Sequence, residues 1–466
     1  VLEKILEIAF GILGLSIVVL VHESGHFGAA RLMGIKVATF SIGFGKRLLG
    51  FRAGDTDYRI SLIPLGGYCR FAGEHSLRRA LDEKLDHIPS KPGEFYGSSA
   101  MKRILVCLSG PAANVLFAII VFFLIHWIGF QEYYTAPKII LLSEWSENNA
   151  ALPADIAGLQ SGDTIMAVDG MKIDRYSALR RELIYRNDEQ INLTVYRDGH
   201  IIELPITPQL NDEMGIALIG VLNWIDPVIG NIKTNSPPAR AGFRPGDRIL
   251  SAMGRPIPHT VALERLLNET EGNELPLLVE NDGIKREIIL KKPEETGFTD
   301  LLWDETDRSM SNGVFRIESG TSAKLGLFSS FSRGLEEAFN TWRATWKGFQ
   351  MLFSGADIGN SIAGPFRLIS DAGNAVLTGF HNGFGPGMLW SFEIMALISV
   401  SLAFLNLLPI PALDGGQILL FASEIIRNKP INPKSLYRYQ FAGIIIVLAI
   451  LIGATMNDLV RIRSRG

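Results

Sequence analysis

The chain has 466 residues, is 47% apolar, and carries a formal net charge of −3 with a mean hydropathy of +0.21. That balance gives no basic surface for nucleic acid, and the length allows more than one folded unit. Cys69 and Cys107 are its only cysteines, which excludes a disulfide framework.

The first apolar run, from about Ile5 to Met33, is long enough to cross a bilayer, which takes about 20 mostly apolar residues. A cleaved leader fits it poorly, because Glu3 and Glu7 sit where its basic n-region would be and no A-x-A site follows. Residues 34–103 follow as a basic loop that includes Lys46, Arg47, Arg78, Arg79, Lys102 and Arg103. Within it, "YRISLIPLGGY" (Tyr58 to Tyr68) alternates partly and predicts a strand. The second span is predicted at Ile104 to Phe130.

Residues 131–387 hold a tandem repeat. "ADIAGLQSGDTIMAVDGMKI" (Ala154 to Ile173) matches "PARAGFRPGDRILSAMGRPI" (Pro238 to Ile257), and the same offset carries "VYRDG" onto "VENDG". Asp-Gly pairs between strand-like runs predict hairpins, so two copies of a small β-rich unit are expected, over 131–220 and 221–321. Their AG-x-x-x-GD-x-I pattern resembles PDZ domains, which bind peptides by adding a strand to a sheet edge. The alternative is that they are spacers without a ligand.

In 322–387, Phe328, Phe331, Leu335, Phe339, Trp342, Trp346, Phe349 and Phe353 recur every three or four residues. They predict an amphipathic helix, either packed in a core or lying at a membrane interface, and the central Trp residues favour the interface. The third span is predicted at Met388 to Leu413. A basic loop over 414–438 and a fourth span within 439–466, with its apolar run at Phe441 to Met456, complete the chain. The expected fold is thus a multi-pass α-helical membrane protein with four transmembrane helices and two PDZ-like units inserted between spans two and three. Basic short loops stay in the cytoplasm, which places residues 34–103 and 414–438 inside and both termini and the insert outside.

"HESGH" in the first span satisfies H-E-x-x-H. On a helix, His22 and His26 share a face and can bind one metal ion, while Glu23 is placed to take a proton from water at that metal. A charged side chain at mid-bilayer costs about 2.5–3.5 kcal/mol on insertion scales, so three ionisable groups in five residues call for a compensating ion. Zinc would supply it, but a catalytic zinc normally has three protein ligands. Asp414 in "NLLPIPALDGGQ" is the candidate third. Pro409 and Pro411 break the helix before it, and irregular backbone at membrane depth is tolerated only where it is buried in protein or lines a cavity. Asp414 could otherwise be a plain Asp-Gly turn residue. Asn406 could hydrogen-bond a substrate backbone or cap the broken helix.

With H-E-x-G-H, N-x-x-P-x-P-x-L-D-G and inserted PDZ-like units together, the chain resembles the site-2 protease family of intramembrane zinc metalloproteases. Within that family it is most similar to the bacterial RseP (regulator of sigma-E protease) type. "FSIGFGK", "IPLGGY", "SGPAANVLFAI" and "NSIAGP" also fit; Gln417 departs, standing where the family pattern suggests His. The resemblance implies zinc on His22, His26 and Asp414, with Glu23 as general base. It also implies a membrane-associated hairpin with a Gly43–Gly45 turn near the substrate. The activity it implies is cleavage of single-span proteins, such as an anti-sigma factor or signal-peptide remnants, in the bacterial inner membrane. A non-catalytic membrane-anchored scaffold is the alternative; a zinc transporter would show inverted repeats among its spans, and none is found.

Overall fold

The computed structural model describes residues 2–129, 131–145, 151–184, 186–211, 216–230, 232, 237–270, 274–291, 315–316, 318–321, 324–351, 365–381 and 383–464. Phe353, most of "NSIAGP" and most of 294–322 lie outside the described residues. The chain forms two compact units, Val1–Phe130 with Ser322–Gly466, and Gln131–Thr321.

In the first unit, α1 (Leu2–Leu32) is apolar almost all round, as a lipid-facing helix is. It ends where Gly34 takes φ +74 and the N–H groups of Gly34 and Ile35 close back on Arg31 and Ala30. That closure satisfies the last carbonyls and turns the chain sharply. The next strands, β1 (Val37–Ala53) and β2 (Thr56–Phe71), form one antiparallel hairpin folded over itself. Residues 37–42 pair with 67–71 on one side and 57–60 on the other, and 57–60 also pair with 49–53. The fold-over sets 67–71 beside 37–42 and along α1, where the Ser16 hydroxyl donates to the Pro64 carbonyl at 2.5 Å. A short α2 (Glu74–Asp82) leads to α3 (Ala100–Ile128), whose first turn is capped by Ser99.

The second unit shows the repeat in space. After the short β3 (Gln131–Tyr134), β4 (Ile139–Leu141) and α4 (Pro153–Ile156), its first copy has β5 (Thr164–Val168), β6 (Met171–Lys172), α5 (Tyr176–Leu183), β7 (Ile191–Arg197) and β8 (His200–Ile206), in the sheet order β6-β5-β7-β8. After β9 (Gln209–Asn211), β10 (Ile216–Leu218), β11 (Val221–Asn223) and α6 (Pro237–Ala241), the second has β12 (Arg248–Ala252), β13 (Arg255–Pro256), α7 (Thr260–Glu269), β14 (Glu274–Asn281) and β15 (Ile284–Lys291), in the matching order β13-β12-β14-β15. Each copy has its own apolar core, around Ile165, Leu179 and Leu193 in one and Ile249, Leu263 and Leu277 in the other. The repeated Gly-Asp also has one physical reason in both. Asp163 accepts from the Gln160 N–H and pairs with Arg197, and Asp247 accepts from the Arg244 N–H and pairs with Arg286, every bond at 2.6–2.8 Å.

Between the copies, the buried His259 ring lies edge-on to Trp145 and Trp224, with centroids 4.9 and 4.7 Å away. Its Nδ1 accepts from the Ala262 N–H at 3.1 Å and caps α7. Burial, with the nearby Lys138 charge, lowers its pKa to about 4. Because an exposed imidazole titrates near 6.5, the unfolded chain binds the extra proton first as pH falls. Stability from this ring is complete above pH 6.5 and is lost as pH drops towards 4. Tryptophan fluorescence in urea should show the unfolding midpoint falling over that window. His259→Asn, which keeps a capping oxygen without a proton to gain, should flatten the dependence.

After the insert come α8 (Leu327–Met351), α9 (Pro365–His381), α10 (Phe384–Asn406), α11 (Asp414–Arg427) and α12 (Pro433–Ser464). Among the described residues, four helical stretches, Glu3–Leu32, Ala100–Ile128, Gly387–Asn406 and Pro433–Asp458, are long and apolar enough to cross a membrane. The aromatic helix α8 meets α3 through small residues: Gly334 faces the Ile119 and Phe123 backbone, and Ala338 joins Val121 and Phe122. Trp342 turns inward onto Phe404, while Phe328 and Phe339 remain exposed. Small residues let helix backbones approach, so the bulky rings are left on the outer flank.

Candidate metal centre

The site is assembled by four helices of the first unit. His22 and His26 sit one turn apart on α1, and their Nε2 atoms converge 3.1 Å apart. Asp414 opens α11, and its Oδ2 lies 3.1 Å from His22 Nε2 and 3.4 Å from His26 Nε2. Helix α10 stops at Asn406, short of the predicted end of the third span. With Pro409 and Pro411 unable to donate, the chain turns and restarts at Asp414. Two glycines allow the return: a Cβ on Gly415 would meet the Leu407 carbonyl, and one on Gly416 the Ile410 carbonyl. The helix break therefore serves to aim a carboxylate at the two imidazoles.

Helix α3 forms the wall behind the histidines. Val106, Gly110 and Asn114 follow at intervals of four and line one face. His26 Nδ1 lies 2.8 Å from the Val106 carbonyl, which can only accept, so Nδ1 carries the proton and Nε2 keeps a free lone pair. A Cβ at Gly110 would collide with His26 Nε2 and stand 2.8 Å from His22 Cε1. Asn114 is fully buried beside His22 Nδ1, at 3.4 Å. Sequence reading assigned none of these three a role, although the four-residue spacing in "VCLSGPAAN" is a visible signal for one helix face.

The predicted site residues separate into two groups. His22, His26 and Asp414 come together, with donor atoms all within 4.8 Å of one another. Asn406, the last residue of α10, joins them, its Nδ2 lying 3.4 Å from His22 Nε2. Glu23 follows His22, half-buried, within hydrogen-bonding reach of the Cys69 backbone in β2. Gly43 and Gly45 lie apart from the histidine cluster, in the bend of β1, with φ +84 and +90; a Cβ on Gly43 would stand 2.6 Å from the Ile63 carbonyl.

Two imidazole nitrogens with a carboxylate oxygen are a zinc-type donor set that leaves a fourth position open. The contact of His26 Nδ1 with the Val106 carbonyl, which leaves Nε2 facing the cluster, is the observation that makes these residues fit such an ion.

Known sequences resemble this chain over nearly its whole length. The profile of peptidase family M50 matches residues 10–450. A protein of Treponema pallidum (strain Nichols), provisionally named a zinc metalloprotease, is 34% identical over 456 residues, covering 97% of this chain and 98% of that one. The regulator of sigma-E protease RseP of Escherichia coli (strain K12) is 29% identical over 475 residues, covering 98% and 99%. The regulator of sigma-E protease RseP of Salmonella typhimurium (strain 14028s / SGSC 2262) is 28% identical over 481 residues.

Proposed function

The chain belongs to peptidase family M50, and from that membership we propose that it cuts single-span membrane proteins within the bilayer, with His22, His26 and Asp414 holding zinc and Glu23 as general base. It is an intramembrane zinc metalloprotease. The observation that carries the residue assignment is the convergence of two histidines and an aspartate from helices almost four hundred residues apart in sequence.

Zinc held there supplies Lewis-acid polarisation of the scissile carbonyl and lowers the pKa of water. The chain's own residues do the rest. Glu23 takes the proton from attacking water at its carboxylate and returns it to the leaving amine. A helical substrate has its backbone bonds satisfied internally, so it must unwind before attack. Residues 67–69 pair with 40–42 and run beside Glu23, so this part of β2 is placed to receive the unwound segment as an added strand. Asn406, next to His22, is placed to hydrogen-bond that segment. Gly43 and Gly45 allow the bend that brings the hairpin over α1.

The two repeats act as PDZ units on the outer face of the bacterial inner membrane, with the catalytic site towards the cytoplasmic side. Basic loops at 34–103 and 414–438 support that orientation. Substrates are then membrane proteins already trimmed outside, such as an anti-sigma factor or signal-peptide remnants. The units serve as a size filter. Deleting residues 140–290 should let an untrimmed single-span reporter be cut; if only the trimmed reporter is cut, the filter is wrong. The overall reading is tested by purified protein on the trimmed reporter, and an uncut reporter in the presence of bound zinc would refute it.

A further inference from the structure

Asn114 has a buried carboxamide whose Oδ1 meets no hydrogen-bond partner among the described residues, while its Nδ2 faces His22 Nδ1 at 3.4 Å. A buried acceptor left without a donor is destabilising, so this oxygen needs a donor. Its neighbour defines which one. If His22 Nδ1 were the acceptor of this amide, the ring proton would sit on Nε2. That atom points at His26 Nε2 and Asp414 Oδ2, and a protonated Nε2 cannot be a metal ligand.

A half-turn of the carboxamide exchanges its oxygen and nitrogen and resolves the conflict. The oxygen then accepts from His22 Nδ1–H, and the Nε2 lone pair is directed into the cluster. The same α3 face already does this for His26 through the Val106 carbonyl at 2.8 Å. The Asn114 backbone is itself held, its carbonyl accepting from the Ser399 hydroxyl of α10 at 3.1 Å.

We propose that Asn114 is a positioning residue that accepts a hydrogen bond from His22 Nδ1–H through its side-chain oxygen and so fixes the tautomer in which His22 Nε2 can bind metal. The inference rests on the zinc-site reading above and adds to it a residue that touches no metal. Partners of this kind are worth roughly 10–100-fold in metal affinity.

The test measures zinc affinity of the full-length protein in detergent by competition with a chelator, for wild type, Asn114→Leu and Asn114→Asp. Leu has no acceptor and should lose roughly 10–100-fold; Asp keeps the acceptor and should hold zinc within a few-fold of wild type. Melting curves of the zinc-free proteins accompany these, since a packing role would lower the zinc-free melting temperature of both variants together. Equal zinc affinity of Asn114→Leu and wild type overturns the proposal. So does a loss in Asn114→Asp as large as in Asn114→Leu. A wild type that holds no zinc, or holds it unchanged in His22→Ala, overturns the site reading and this inference with it; a normal wild type with an unaffected Leu variant overturns the inference alone.

Discussion

Glu23→Gln should lower cleavage of a single-span reporter by about 10²–10⁴-fold, the range that removal of a general acid–base group spans, while zinc content stays at the wild-type level. The substitution keeps the side chain's shape and removes only its capacity to take a proton. Glu23 stands outside the convergent donor set, since His22, His26 and Asp414 provide the three atoms within 4.8 Å of one another. Zinc content and activity should therefore separate in this variant and fall together in Asp414→Ala. Equal cleavage by wild type and Glu23→Gln, measured as product formed per unit time at saturating reporter, would remove Glu23 from the mechanism. Loss of zinc together with activity would make it a ligand instead.

Gly110→Val should cost the site its metal without adding or removing any charge. Even a Cβ at this position would collide with His26 Nε2 and crowd His22 Cε1, so the valine must push α3 away from α1 or rotate both imidazoles. Overpacking of this kind costs about 1–3 kcal/mol, and at 1.4 kcal/mol per decade that is roughly a 5- to 150-fold fall in zinc affinity. Chelator competition on the full-length protein reads it directly. A valine variant that binds zinc as tightly as wild type would mean that α3 is free to retreat, and that the close approach at residue 110 is incidental. Gly453, where a Cβ would meet no heavy atom within 4 Å, is the matched control.

Much of the architecture was legible in one dimension because the solvent changes along the chain. Spans announce themselves by length and apolarity, since lipid tolerates no unpaired backbone and few charges. The repeat is visible because each copy needs the same turn chemistry at the same places. Asp163 and Asp247 are buried and bonded alike in loops that each unit must close. His22 and His26 were also legible, because helical periodicity places residues four apart on one face.

Other features depend on neighbours that have no fixed sequence spacing. The regular spacing of aromatic residues in α8 suggested a single apolar face, yet the packing surface is made by Gly334, Ala338 and Trp342, and several rings lie outside it. Periodicity reports which residues share a side, whereas close approach between helices is decided by which side is small. The hairpin over 37–71 reads as two strands, but its second fold, with 57–60 paired on both sides, is set by bends at Gly43–Lys46 and 61–66.

By itself the sequence determined the number of spans, the inserted repeat and the pair of histidines, because each follows from local hydrophobic period or local turn chemistry. The tertiary structure decided that Asp414 is aimed at those histidines and is more than a turn residue, and that Val106, Gly110 and Asn114 stand behind them. Metal coordination requires donor atoms to converge within a few ångströms. That convergence comes from packing α3 and α10 against α1 and α11 against α3, and spacing along the chain says nothing about the distance between helices that fold side by side.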